Sequence, residues 1–94
     1  NGRQLQGLIA DVATEEVIIN LGARHGVKSG QQFNVITEGP PIEAGGKVIG
    51  HREVKAALLE VTVVDENYCV GKVLAKTEGV VLAQEMKVKQ AKAK

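Results

Sequence analysis

Ninety-four residues, 44% of them apolar and 2% aromatic, are enough for one domain with a modest core that buries roughly two-thirds of its unfolded surface. That size leaves little room for a deep substrate cleft, and a formal net charge of +1 excludes polyanion binding by bulk charge alone. The single cysteine, Cys69, excludes an intramolecular disulfide and any multi-cysteine metal site, and no apolar run approaches the ~20 residues that span a bilayer.

With one Phe (Phe33), one Tyr (Tyr68) and no Trp, the core must be aliphatic and β-branched, which suits pleated strands. Gln4 to Val12 reads as a first strand with two mixed faces. It follows Asn1-Gly2-Arg3 directly, without a signal-peptide pattern, as though cut from something larger. Thr14-Glu15 makes a turn, and Glu16 to Leu21 forms a second strand with Val17, Ile19 and Leu21 on one face. The short connection implies an antiparallel hairpin.

Gly22, Gly26 and Gly30 then recur at every fourth position, each able to supply a positive φ, with Val27 as a plug beneath the loop. Gln32 to Thr37 is a third strand, Phe33 and Val35 facing one way. Glu38 to Gly46 reads as a loop, because Pro40 and Pro41 cannot donate to a ladder. Lys47 to Gly50 is a short fourth strand. Ala56 to Val64 is a fifth, with Ala57, Leu59, Val61 and Val63 on one face. Asp65-Glu66-Asn67 turns the chain into a sixth strand, Tyr68 to Ala75, with Cys69, Gly71, Val73 and Ala75 inward. Order continues to about Leu82. Residues 83–94 read as a flexible basic tail, because Lys87, Lys89, Lys92 and Lys94 stand against Glu85. The fold expected is all-β: a five- to six-stranded antiparallel barrel over residues 1–82, closed to remove exposed strand edges, with a sandwich as the alternative.

Catalytic patterns are absent. Gly22 to Ser29 comes near a phosphate-binding loop, but Val27 stands where the second glycine should be, and a strand rather than a helix follows. His25 and His51 lie in separate loops without metal-ligand spacing, Ser29 has no nucleophile elbow, and the alternation around Cys69 points its thiol into the core. No enzyme activity, cofactor or small-molecule substrate is expected, and a small-molecule or metal site is the weakest reading. Nucleic-acid binding is the alternative function, since small barrels can bind it. Its only contacts here would be Arg24, Lys28 and the lysine tail, without the aromatic platforms that stack bases.

The runs Gly7-Leu-Ile-Ala-Asp-Val, Glu16-Val-Ile-Ile-Asn-Leu-Gly and His25-Gly-Val-Lys-Ser-Gly-Gln-Gln-Phe-Asn-Val-Ile form a compound pattern with Gly46-Lys-Val-Ile-Gly, Ala57-Leu-Leu-Glu-Val-Thr-Val-Val and Cys69-Val-Gly-Lys-Val. It resembles the C-terminal domain of the flagellar assembly protein T family, over roughly residues 5–78, and similar small β domains attached to curli-secretion-type envelope proteins. The resemblance implies a periplasmic or envelope-exposed barrel used in protein assembly; in the flagellar family the parent protein helps build a ring around the basal body. This chain departs at 39–46, where such domains often carry an Asp-Pro-x-Thr-Gly-like turn. The function expected is a non-enzymatic protein–protein interaction module of a larger envelope protein, without membrane insertion. Its candidate contacts are Arg24, His25 and Lys28 in one loop, Pro40 and Pro41 in a second, and His51 and Arg52 in a third.

Overall fold

A computed structural model describes residues 4–92; the start at Asn1 to Arg3 and the end of the expected tail, Ala93 and Lys94, lie outside it. Six antiparallel strands form a closed barrel in the order β1-β2-β5-β4-β3-β6. They are β1 (Gln6–Ala13), β2 (Glu16–Ile19), β3 (Gln32–Ala44), β4 (Lys47–Val64), β5 (Cys69–Lys76) and β6 (Lys87–Gln90), with a 3-10 turn at Ala23–His25 between β2 and β3.

The interior is aliphatic, as the composition demands. Ile9, Val17, Ile19, Phe33, Val35, Leu59, Val61, Cys69 and Val88 are all sealed from solvent and belong to one cluster. Val27 is buried beneath its loop as expected. No buried side-chain nitrogen or oxygen lacks a hydrogen-bond partner among the described residues, so the core carries no polar penalty there. The residues alternate in and out along each strand until a bulge resets the count. Leu59 pairs with Val73 and Leu58 with Ala75, which makes Leu74 an extra residue on β5. Val61 pairs with Gly71 and Val63 with Val70, so Thr62 is extra on β4. These bulges explain two departures from strict alternation: Val63 and Ala75, expected inside, are exposed. A third bulge, at Ala56, turns both Ala56 and Ala57 inward.

Two further segments differ from the reading of the sequence. Residues 87–90, assigned above to a loose end, are β6. Gly7 pairs with Val88 on one side and Val35 with Val88 on the other, so β6 is the strand that closes the ring. Val88 is fully buried; the lysines flanking it point outward, and the core gains from the one apolar side chain between them. The 77–86 connection folds across the barrel end, with Val80, Leu82 and Met86 packed on the core. The second departure is the segment expected as a loop at Glu38 to Gly46. It continues β3 to Ala44, turns at Gly45-Gly46 and returns as one long β4. Beyond Thr37 and Val54 these two strands pair only with each other and leave the barrel as a two-stranded arm. The molecule measures 46 × 34 × 25 Å.

The glycines after β2 do not all act alike. Gly26 and Gly30 adopt positive φ, of 91° and 93°, as expected. Gly22 is extended (φ −138°) and serves close approach instead: an added Cβ would run into the backbone of Asp65, Glu66 and Tyr68. The hydrogen bond from Ala23 N–H to Asp65 O (2.8 Å) clamps the β2–β3 loop to the β4–β5 turn there.

Candidate functional site

Among the described residues, the arm consists of two strands that pair with each other and with no third strand. Its geometry begins with two bulges. Glu38 pairs with Glu53 and Pro41 with His51, three steps on β3 against two on β4. At that bulge Gly39 is nearly in contact with β4, its missing Cβ lying 2.6 Å from Val54 Cγ2. Further out, Ile42 pairs with Gly50 and Glu43 with Val48, which makes Ile49 an extra residue on β4.

These features guard both edges of the arm. Pro40 and Pro41 remove two donors from β3, and the bulge at Ile49 interrupts the row of amides on β4; both devices oppose strand addition. The apolar side chains of the arm are, by contrast, unprotected. Ile42, Val48 and Ile49 are 37%, 55% and 67% exposed, near a Gly-Gly turn flanked by Glu43 and Lys47. The arm thus exposes apolar side chains near its tip while its backbone edges are interrupted.

Its root is charged. Lys89 donates to both carboxylate oxygens of Glu53 (2.7 and 2.8 Å), and His51 Nδ1 lies 3.7 Å from Glu38 Oε2. The hydrogen bond from Lys89 holds the Glu53 carboxyl below its usual range against opposing desolvation, with the charges of Lys89 and Lys87 adding to the lowering. Because Glu38 and Glu53 face each other across the ladder, Lys89 offsets a like-charge pair. Two adjoining clefts that share Glu53 gather Arg52, Lys55, Lys87, Lys89 and Lys92 against Glu38 and Glu53, a local excess of three positive charges.

A second exposed apolar surface lies at the same end of the barrel. It is a groove of about 570 Å³ between the β1–β2 turn, the end of β5 and the chain that follows, lined by Val12, Leu74, Val81 and Leu82 with Glu15 and Lys76 at its sides. Val81 is 79% exposed, the most of any large apolar residue. The charged residues that line it are Glu15 and Lys76, one of each sign.

Of the contacts expected from sequence, the structure brings Pro40, Pro41, His51 and Arg52 together on the arm. Arg24, His25 and Lys28 are elsewhere. Arg24 donates to Asn67 Oδ1 (3.2 Å), His25 Nδ1 accepts from Gly22 N–H (3.0 Å), and Lys28 N–H donates to Gln31 Oε1 (3.1 Å). They belong to the loop ahead of β3, and the nine residue steps from Gln32 to Pro41 carry the chain up to roughly 30 Å away. The bond from Arg24 ties the loop to the β4–β5 turn, and the bond to His25 lies within the loop itself. Sequence reasoning missed Ile42, Val48 and Ile49. A signal was present: Val48-Ile49 are adjacent in a strand, so they cannot both point to one core without a bulge.

Among the described residues, no group of three His, Cys, Asp or Glu side chains is placed to hold a metal ion. No helix there is long and apolar enough to cross a membrane. Burial pushes the Cys69 thiol up to about 11, which leaves it a protonated core side chain at neutral pH.

An aliphatic closed barrel with Gly-Val-Lys-Ser-Gly punctuation after its second strand is the arrangement the sequence pattern pointed to, and comparison with known families decides the relationship. The family model described as flagellar assembly protein T, C-terminal domain, matches residues 14–81. The chain belongs to this family. No curated protein matches it. The match runs from the β1–β2 turn through Val81, so it takes in the whole arm, the clamped loop and the β5 wall of the groove, and stops short of β6. The family is one of flagellar assembly.

Proposed function

We propose that this flagellar assembly protein T C-terminal domain is a non-enzymatic docking module, exposed in the periplasm or at the cell envelope, and that the arm is its contact surface. The observation that carries the reading is the exposure of Ile42, Val48 and Ile49 on a strand pair rooted in the barrel and covered by nothing else in the described chain. Apolar groups in such a cluster cost solubility in a monomer, and they become favourable when a partner buries them. The barrel supplies rigidity. Pro40 and Pro41 stiffen one strand of the arm, while Arg52 adds charge and His51 a polar ring below the apolar tip.

Capture of envelope proteins from flagellated cells tests this, with the 94-residue chain as bait and Ile49→Asp as its control. Flagellar or other envelope proteins recovered by the native sequence and lost with Ile49→Asp are the expected result. Equal recovery by both baits would remove the arm from the reading, and recovery of no envelope protein would remove the docking function.

A further inference from the structure

We infer that the arm has a specific partner, a second copy of this chain, and that each arm tip seats in the Val12–Leu74–Val81 groove of the other copy. The inference rests on the reading of the arm as a contact surface and names what it contacts.

Three observations lead to it. The chain displays both a protruding apolar element and an apolar concavity, each without a cover of its own: Ile42, Val48 and Ile49 on the arm, and Val12, Leu74 and Val81 at the groove. Their charges match. The tip carries Glu43 and Lys47 beside its apolar residues and the groove carries Lys76 and Glu15 beside its own, so each charge can meet its opposite.

The third observation is placement. Ala57 pairs with Lys76, and Thr77 N–H donates to Ala56 O (2.9 Å), so the end of β5 and the root of the arm lie at one end of the barrel. A two-fold axis just beyond that end lets two arms pass one another while both barrels point away. The same patch is then used on both copies, and the contact closes as a dimer instead of propagating as a chain. The guarded arm edges fit this mode, because the tip enters a groove by its side chains and no intermolecular ladder is required.

Sedimentation equilibrium of the chain over micromolar to submillimolar concentrations tests the proposal. The native sequence is expected to show a monomer–dimer equilibrium that weakens with added salt. Ile49→Asp spoils the tip and Val81→Asp spoils the groove; both positions are exposed, so neither change threatens folding. Each variant alone is expected to lose the dimer, with at least a tenfold weaker association. Mixed together, they regain one intact contact, the native tip of Val81→Asp in the native groove of Ile49→Asp, and dimer mass is expected to return in part. A monomer at every concentration overturns the proposal. So does a dimer indifferent to both changes, or a mixture no more associated than its components. If the chain is monomeric yet still captures an envelope protein through Ile49, the self-pairing fails while the docking reading stands.

Discussion

Replacing Val88 with Ala separates a barrel closed by β6 from a barrel that ends near Leu82 with a loose tail. Val88 has no solvent exposure and sits between Gly7 on β1 and Val35 on β3. The change deletes two buried methyl groups, a loss of about 1.6 kcal/mol in transfer free energy at ~0.8 kcal/mol per group. The side chains around it belong to two different strands held by their own ladders, so collapse into the space is incomplete and the cavity raises the cost to about 2–3 kcal/mol. For a domain of this size that is a fall in melting temperature of about 10–20 °C. Urea denaturation followed by circular dichroism measures it, with Lys87→Ala, an exposed neighbour on the same strand, as the control that should change stability by less than about 0.5 kcal/mol. If Val88→Ala behaved like Lys87→Ala, β6 would not be part of the folded ring.

Other consequences can be checked in the same preparations. Gly22→Ala forces a Cβ against the backbone of Glu66 (2.5 Å) and Tyr68 (2.6 Å) and should cost more than about 2 kcal/mol, whereas Gly50→Ala, which meets open space, should stay within about 0.5 kcal/mol of the native protein by the same denaturation assay. Glu53 should titrate below the ordinary glutamate value of 4.5 in a carbon-detected NMR titration, and Lys89→Ala should return it toward that value. Since the folded carboxyl is the stronger acid, the pair's contribution is present above the unfolded value and is lost as pH falls through the lower folded one. Cys69 should resist a thiol reagent at pH 7.5 until the protein unfolds, because it is sealed in the core with its pKa raised to about 11; rapid labelling of the folded protein would contradict the burial.

The barrel wall was legible in the sequence because its strands alternate. Val17 and Ile19, Phe33 and Val35, and Leu59 and Val61 each follow the period of two, and each pair is buried. What periodicity cannot carry is a bulge. Thr62 and Leu74 each shift the count by one, and that alone moves Val63 and Ala75 from inside to outside. The strand β6 escaped notice for a compositional reason: it is four residues long, and only Val88 among Lys87-Val-Lys-Gln faces the core. Its pairing is settled by β1 and β3, which are distant in sequence. The arm was hidden by a sound rule applied one step too far. Prolines do exclude a central strand, but Pro40 and Pro41 lie where β3 has β4 on one side and no strand on the other, and an edge strand tolerates them. The candidate site was half legible for the same reason. Pro40, Pro41, His51 and Arg52 stood out as punctuation and charge, while Ile42 was read as part of a loop and Val48 and Ile49 as an ordinary short strand.

The account places contact at the tip of the arm and leaves the barrel wall as support. Site-specific photo-crosslinking in flagellated cells tests that division directly, with the photoreactive residue at Ile49 on the arm or at Val63 on the wall, two apolar positions of similar exposure. Protein adducts from position 49 and none from position 63 are the predicted result. Adducts from position 63 alone would show that partners meet the barrel wall, and the assignment of the arm would be wrong.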